Sequence, residues 1–335
     1  SNTDIFNAFG SIKSLNPKKD DLSQFISATV TEDIVDTRTG EIFLEGGSEL
    51  TVENIESLFS HGSTTIEAKS GYGLTVEDEI KSLKVLKKIN EDFVIDIIPT
   101  FMGAHAFPPE FKDKNEKYID LICNEMIPQI AEENLAVYCD VFCEEGYFTV
   151  EQSRKVLKTG IKYGLKPRLH ADEFKDSGAA ELASEIGAIS ADHLMAVSEL
   201  GIKSMVNSGV IGTLLPGTTL FLGQHNYANG RKMIDLGLEV AIATDFNPGS
   251  STLNSLPIAM SLANLYCGLS IEEAFKGITY NSAKAINMEH KLGMIKKGYQ
   301  ADILYWNIDS INEIPYWFGS DRIINIMKNG EFLGD

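Results

Sequence analysis

The sequence has few cysteines, and their spacing does not predict a metal site or a disulfide framework. Its four cysteines are Cys123, Cys139, Cys143 and Cys267, and only Cys139 and Cys143 are close together in the chain. No second close pair completes a zinc-binding set of thiolates. We therefore expect four reduced, packed side chains in a reducing compartment, with the cytoplasm as the default location.

Positive charge is also scarce. The 335 residues include 48 acidic and 29 basic side chains, which gives a formal net charge of −19. Such a chain repels phosphate backbones and anionic lipids, so we expect neither a nucleic acid nor a membrane as partner. The sequence has no long basic or apolar run, and its first residues, SNTDIF, lack a secretory signal pattern. The expected partner is a small-molecule substrate, and a homodimer is one option for assembly.

What the sequence does have is an alternation of two kinds of segment. Short apolar runs rich in β-branched residues are followed by longer stretches with helical spacing, one of which, residues 149–164, has Thr149 as its predicted N-cap. Repeated strand–helix units indicate a parallel sheet buried on both faces. The seven predicted strands lie within residues 63–71, 93–105, 135–145, 165–173, 188–194, 209–217 and 238–247.

A closed (β/α)8 barrel and an open doubly wound sheet both fit this alternation, and the strand ends favour the barrel. Polar, charged and glycine residues gather at the C-terminal end of nearly every predicted strand, as in GAH, HADE, DHL and TDFN. In a barrel these ends converge on one mouth, whereas a doubly wound sheet concentrates its chemistry at one switch point. We therefore predict an α/β fold with a TIM-like (β/α)8 barrel over residues 51–290, although only seven strands are counted.

The two chain ends differ from the barrel region. Residues 1–50 and 291–335 contain short alternating strands with glycine turns instead of strand–helix units. We predict that both ends together build one small β-sandwich domain.

Three of the six histidines stand at the ends of predicted strands. These are His105, His170 and His193, and Asp245 ends the last strand. Imidazole and carboxylate groups are ligands of zinc and iron. A single histidine at a strand end is ordinarily a hydrogen-bonding residue of the core or rim. Three of them with an aspartate, in register across separate strands, favour a divalent metal site.

The stretch LHADEF at residues 169–174 leaves the identity of a second acidic group open. Strand alternation puts His170 and Asp172 on the same side, so spacing by itself nominates Asp172. If the strand ends at Ala171, a turn instead directs Glu173 inward. The periodicity of the sequence does not decide between the two carboxylates.

Seven segments form a pattern that is specific as a set, because several of them occur in a fixed order on successive strands. They are KSGYGL (69–74), TFMGAHAFPPE (100–110), DVFCEEGYF (140–148), LHADEF (169–174), ADHL (191–194), LLPGTTLFLG (214–223) and TDFNPGSS (244–251). Together they resemble the imidazolonepropionase family of the amidohydrolase superfamily, from about residue 50 to the C-terminus. The resemblance implies hydrolysis of the cyclic amide 4-imidazolone-5-propanoate to N-formimidoyl-L-glutamate in histidine degradation, with one Zn²⁺ or Fe ion per chain.

The resemblance also implies roles for individual residues. His170 and Asp245 are the implied metal ligands. Glu173 is the implied carboxylate beside the nucleophilic water, with His193 as its polar partner. The implied substrate-binding residues are Tyr72, His105, Asn247, Gly249 and Ser250.

The chain departs from the family pattern at one place. Amidohydrolases carry a His-x-His pair at the end of the first barrel strand that supplies two metal ligands, but this sequence has no histidine before His61 and no His-x-His pair. Three explanations stay open: a segment outside this sequence carries that strand, the protein is a metal-free relative that binds a small acid or a partner, or another residue completes the site. Among enzymes, another cyclic amidase or a deaminase is the alternative.

We favour the first explanation, because removing one strand from a closed barrel exposes two sheet edges. It predicts an opening in the sheet between the strands at 63–71 and 238–247. It also predicts a break in the path of the chain within residues 10–50.

Overall fold

The computed structural model of the protein describes residues 34–35, 42–44 and 52–333. The first two strands, β1 (Ile34–Val35) and β2 (Ile42–Leu44), pair in antiparallel direction. None of the helices in the described ranges is both long and apolar enough to cross a membrane.

A seven-stranded parallel sheet forms the centre of the described part of the chain. Its strands follow one another in space in the order in which they occur in the sequence, as they do in a βα barrel. All seven runs that were predicted to be strands contain one, within narrower bounds. The strands are β3 (Thr65–Lys69), β4 (Asp96–Ala104), β5 (Tyr138–Cys143), β6 (Lys166–Ala171), β7 (Ser190–His193), β8 (Ile211–Leu214) and β9 (Val240–Ile242).

Helices precede, connect and follow these strands. A 3₁₀ turn (Pro109–Phe111) and a short π-helix (Ile122–Met126) lie in the connection between β4 and β5. The α-helices are α1 (Val52–Ser60), α2 (Val76–Asp92), α3 (Asn115–Leu121), α4 (Ile127–Glu132), α5 (Val150–Lys162), α6 (Ala179–Ile186), α7 (Glu199–Ser208), α8 (Pro216–Phe221), α9 (Gly230–Asp235), α10 (Leu256–Tyr266), α11 (Ile271–Gly277), α12 (Tyr280–Ala285) and α13 (Glu313–Tyr316).

Side-chain caps fix where two of these helices begin. Thr149 is the N-cap of α5, as predicted, because its Oγ1 accepts a hydrogen bond from the amide of Gln152 at 3.3 Å. The side chain of Gln152 accepts one from the amide of Thr149 at 3.1 Å, which completes a capping box. Thr75 caps α2 through the amide of Asp78. Both caps satisfy amides that a helix start leaves without partners.

The apolar core lies between the sheet and the outer helices. All six residues of β5 are buried. Val156 and Leu157 of α5, which packs against β5, are buried completely. This continuous burial is typical of a parallel sheet that is covered by helices.

The sheet does not close on itself within the described ranges. There β3 pairs only with β4, and β9 pairs only with β8, so each of the two outer strands has an unpaired edge. Among the described residues, no strand joins β3 to β9, as the predicted opening requires. The predicted break within residues 10–50 falls almost wholly outside the described residues.

A small antiparallel sheet follows the barrel. Its middle strand, β11 (Ile323–Lys328), ends at Lys328. The buried ammonium group of Lys328 lies 2.6 Å from Asp96 at the start of β4 and 2.7 Å from Asp302. This ion pair fastens the small sheet to the barrel. The sandwich predicted from both chain ends includes residues 1–50, most of which lie outside the described ranges, so it stays a prediction. The three strands are β10 (Ile303–Trp306), β11 (Ile323–Lys328) and β12 (Glu331–Leu333).

Candidate active site

The predicted site residues stand at one edge of the parallel sheet. His105 follows β4 directly, His170 is the last residue but one of β6, and His193 ends β7. Asp245 lies beyond the end of β9. The ring centroids of His170 and His193 are 5.2 Å apart. Because parallel strands end at the same edge, the fold gathers these groups at the position where βα barrels carry their active sites.

The backbone at this edge adopts a conformation that is uncommon outside glycine. Asp172, His193, Leu194 and Asp245 have φ angles of 49°, 77°, 60° and 53°, in the left-handed region. Residues held in such conformations are concentrated at functional sites, where the surrounding structure fixes them. The ends of β6, β7 and β9 are therefore sharply turned.

The structure assigns Asp172 to the start of a helix. β6 ends at Ala171, and the turn at Asp172 breaks the alternation of the strand. The Asp172 carboxylate accepts hydrogen bonds at 2.9 to 3.2 Å from three backbone amides, and burial raises its pKa to about 6. The donors belong to Ser177, Ala179 and Ala180.

Glu173 instead lies beside His193, the histidine that ends β7. Its buried side chain has Oε2 3.6 Å from Nε2 of His193. Burial raises the pKa of Glu173, whereas His193 and His170 lower it and Asp245 adds to the rise. These four side chains therefore act on one another electrostatically. Of the two carboxylates that the sequence left open, Glu173 is the one at the edge where the histidines meet.

A buried aspartate of the neighbouring strand fixes the ring of His170. Nδ1 of His170 lies 3.1 Å from Oδ1 of Asp140 in β5. Because Nδ1 donates to the carboxylate, Nε2 is the ring nitrogen left for a metal. Burial by itself lowers the pKa of His170, but the attraction of Asp140 outweighs it and raises the pKa. Asp140 was not among the site residues predicted from the sequence, where its signal is a charge in the middle of an apolar strand.

Asp140 belongs to a network of five charged side chains. Nζ of Lys69 lies 2.6 Å from Asp140 and 3.3 Å from Asp192. The guanidinium of Arg168 lies 3.1 Å from Glu67 and 3.5 Å from Asp192. Lys69 ends β3, whereas Asp192 is in β7, and three strands separate these two in the sheet. A direct contact between them therefore requires the sheet to curl around the network.

Lys69 and Arg168 already balance the negative charges of this network, which bears on whether it could hold a metal ion. Ligand atoms of Asp140, His170 and Asp192 lie within 4.8 Å of one another, close enough to hold a metal ion. However, Lys69 lies between the two carboxylates. Burial by itself lowers its pKa, but the carboxylates outweigh burial and raise it. Since the lysine stays protonated, we interpret the group as a salt-bridge network that supports His170.

Asp245 is held by a threonine of the neighbouring connection. Oγ1 of Thr218 in α8 donates a hydrogen bond to Oδ2 of Asp245 at 2.5 Å, and Thr218 is fully buried. The second carboxylate oxygen of Asp245 is the candidate ligand atom. In the sequence Thr218 was named only as part of the segment LLPGTTLFLG (214–223), so its bond to Asp245 became visible only in three dimensions.

Three of the predicted substrate-binding residues form a tight turn after β9. Oδ1 of Asn247 accepts hydrogen bonds from the amides of Gly249 and Ser250 at 2.9 and 2.7 Å. Its Nδ2 donates to the carbonyl of Asp245 at 2.7 Å. The Asn247 amide thus shapes the turn that carries Asp245. Direct substrate contact by these residues stays a prediction.

Tyr72 and His105 stand next to each other on the β3 side of the site. Nδ1 of His105 lies 3.0 Å from the carbonyl of Gly71, and the rings of Tyr72 and His105 have centroids 5.0 Å apart. The Tyr72 hydroxyl donates to Asn247 at 3.3 Å, which joins the two sides of the edge. Burial lowers the pKa of His105. Contact of Tyr72 and His105 with substrate stays a prediction.

The family follows from similarity to known proteins. The sequence profile of the amidohydrolase family matches residues 179–333. The imidazolonepropionase of Thermoanaerobacter pseudethanolicus is 46% identical over 281 residues, which are 84% of this chain and 68% of the relative. The chain belongs to the imidazolonepropionase family. The imidazolonepropionase of Brevibacillus brevis is 48% identical over 281 residues, 84% of this chain and 66% of the relative.

The chain spans about two thirds of the length of these imidazolonepropionases. Among solved structures, the fold is similar to that of an adenosine deaminase from Xanthomonas campestris with bound zinc, with a TM-score of 0.64 and 15% identity over 83% of this chain and 67% of that one. Together with the amidohydrolase profile, this likeness confirms the amidohydrolase type of TIM-like barrel.

We expect Asp140→Asn to weaken metal binding about 10- to 100-fold, the usual effect of losing a carboxylate behind a metal-binding histidine. The amide removes the charge that fixes the tautomer of His170. The measurement is titration of the metal-free protein with Zn²⁺ in competition with a chelating indicator. Asp120→Asn is the matched control, because Asp120 is an exposed residue of α3 that pairs with Lys155. Equal zinc affinity in Asp140→Asn and the unsubstituted protein would contradict the role.

Proposed function

We propose that this chain hydrolyses 4-imidazolone-5-propanoate to N-formimidoyl-L-glutamate, with one Zn²⁺ or Fe ion per chain. The observation that carries the proposal is the buried contact between Glu173 and His193, beside His170 and near Asp245. A carboxylate and an imidazole within reach of two candidate metal ligands are the groups that water addition to a cyclic amide requires.

The donor atoms of His170 and Asp245 fit such an ion. Nε2 of His170 is left available by the bond from Nδ1 to Asp140, and Asp245 has one oxygen held by Thr218. A nitrogen and a carboxylate oxygen suit zinc and iron. When bound, such an ion lowers the pKa of water to about 7 and so supplies a nucleophile at neutral pH.

Glu173 and His193 move the protons. As water adds to the ring carbonyl, Glu173 accepts one of its protons at the carboxylate. The amide C–N bond then breaks, and Glu173 or His193 returns a proton to the leaving nitrogen, so the ring opens with no net gain or loss of protons at the site. Asp172 takes no part, because its carboxylate is engaged by the amides of Ser177, Ala179 and Ala180.

Tyr72, His105 and the turn at Asn247 are proposed to bind the substrate. Tyr72 and His105 form one side of the edge, and the turn that includes Gly249 and Ser250 forms the other. In this arrangement Nδ1 of His105 donates to the carbonyl of Gly71, so Nε2 of the neutral ring is available to accept a hydrogen bond from the substrate. The hydrogen bond from Tyr72 to Asn247 spans the two sides, so substrate binding and this bond are coupled.

A reducing compartment such as the cytoplasm is proposed for this activity. All four cysteines are buried and free. Burial raises the pKa of Cys143 to about 11 and that of Cys267 to about 12. Buried thiols with raised pKa values are packing residues and not reactive groups.

We expect the imidazolone to be hydrolysed faster than two substrates of related amidohydrolases. The comparison uses 4-imidazolone-5-propanoate, a simple hydantoin and an aminopurine, each with the zinc-loaded protein, with kcat/KM as the measurement. Glu173→Gln in the same assay excludes a contaminating enzyme. A larger kcat/KM for the hydantoin or the aminopurine would place the chain with another amidohydrolase activity, and binding without turnover would favour a non-catalytic relative.

A further inference from the structure

A second buried glutamate holds the segment that carries Glu173. Glu144 follows β5 directly, and only 2% of its surface is exposed. Its Oε2 accepts hydrogen bonds from the amides of Phe174 and Lys175 at 2.9 and 3.5 Å. Its Oε1 accepts one from the hydroxyl of Ser177 at 2.8 Å. A buried carboxylate is costly unless it is satisfied, and these donors satisfy it.

The segment held in this way is the β6–α6 loop, residues 172–178. β6 ends at Ala171 and α6 begins at Ala179, so no strand ladder or helix fixes this loop. Its geometry therefore depends on the hydrogen bond from the Ser177 amide to the Asp172 carboxylate within the loop, and on hydrogen bonds to other parts of the chain. On the β7 side, the carbonyl of Asp172 accepts from the amide of Ala196 at 2.8 Å. On the β5 side, the acceptor is the carboxylate of Glu144.

Glu173 lies between these two attachments. The two amides that Glu144 binds belong to the residues immediately after it. The Glu173 side chain itself has a 3.6 Å contact with His193, which is too long to define its position. The position of the Glu173 carboxylate is therefore set mainly by the backbone on either side of it.

We propose that Glu144 is a positioning residue for Glu173. It holds the amides of Phe174 and Lys175, and so fixes the direction in which the Glu173 carboxylate points. This inference rests on the proposed function for the role of Glu173 in turnover. The hydrogen bonds themselves do not depend on that function, which allows the two to be tested separately.

The test compares Glu144→Gln with Glu145→Gln in the zinc-loaded protein. The amide of Gln keeps the size of the side chain but replaces an acceptor oxygen with a donor that opposes the loop amides. Glu145 is the matched control, because it is exposed and reaches the same loop only through an ion pair with Lys175. We expect kcat to fall about 10- to 100-fold in Glu144→Gln, since an ångström of misplacement costs about that much. We expect KM and zinc affinity of Glu144→Gln to stay within about twofold, because Glu144 does not contact His170 or Asp245. We expect kcat of Glu145→Gln to stay near normal, because an exposed ion pair contributes little.

A double-mutant cycle separates positioning from general destabilisation. If Glu144 acts through Glu173, Glu144→Gln has little further effect on kcat in a Glu173→Gln background. An equal loss of kcat in both backgrounds, or a loss of zinc affinity together with kcat, would overturn the proposal.

Hydrogen–deuterium exchange provides a readout that does not need activity. Glu144→Gln is expected to speed exchange in residues 172–178, while α7 (Glu199–Ser208) stays unchanged. If the unsubstituted protein fails to hydrolyse the imidazolone, the proposed function is wrong, and exchange alone then decides whether Glu144 holds the loop. Unchanged exchange in residues 172–178 would overturn the inference whatever the activity.

Discussion

Glu173→Gln is expected to lower kcat by about 10³-fold, within the range that removal of a general acid–base group usually produces. The amide of Gln fits the same buried space but cannot accept or return a proton. Asp172→Asn is expected to keep kcat within about threefold. The measurement is kcat for both variants with saturating substrate and zinc.

In stability the order is expected to be reversed: Asp172→Asn lowers the free energy of unfolding more than Glu173→Gln does. Asp172 accepts from three amides at the start of α6, and Asn offers one oxygen in place of two. Loss of part of such a cap costs about 1 kcal/mol. The pKa of Asp172 is raised to about 6, so its charged form is already disfavoured by burial, which limits the cost of removing the charge. A loss of turnover in Asp172→Asn, with near-normal turnover in Glu173→Gln, would reverse the assignment.

Removal of metal is expected to lower turnover by about 10³-fold, because a catalytic ion contributes several kcal/mol to the stabilisation of the transition state. The chain offers His170 and Asp245 as candidate ligands, whereas catalytic zinc sites usually have three protein ligands. We therefore expect the 335-residue protein to hold zinc weakly, to lose it on desalting, and to regain activity as Zn²⁺ is added.

Metal analysis by mass spectrometry, together with activity at increasing Zn²⁺, tests this expectation. Asp245→Asn should abolish the response to zinc. Asp235→Asn is the control, because Asp235 is exposed and pairs with Arg231 on the outside of α9. One ion per chain that survives prolonged dialysis against a chelator would show that further protein ligands complete the site.

The sequence by itself determined the architecture of the barrel. Its apolar runs gave the positions of all seven strands from β3 to β9, because a parallel sheet covered by helices needs continuous apolar segments. Thr149 was recognisable as an N-cap because capping chemistry lies within four residues of chain. The strand-end histidines were visible because parallel strands place their C-terminal ends at one edge.

The family resemblance already implied Glu173 and not Asp172, but the strand pattern did not, and only the tertiary structure shows Glu173 beside His193. Strand periodicity extends only as far as the strand, and β6 ends at Ala171. Beyond that point the path of the chain depends on hydrogen bonds to Glu144, about 30 residues earlier in the sequence. A local pattern contains no information about such a partner.

The charged network was likewise decided by the tertiary structure. Lys69 and Asp192 are separated by 123 positions in the sequence and by three strands in the sheet, yet their side chains are 3.3 Å apart. Only the curl of the sheet brings them together. Each charge taken singly looks unfavourable inside an apolar strand, and it is the opposite charge on a distant strand that makes its burial tolerable.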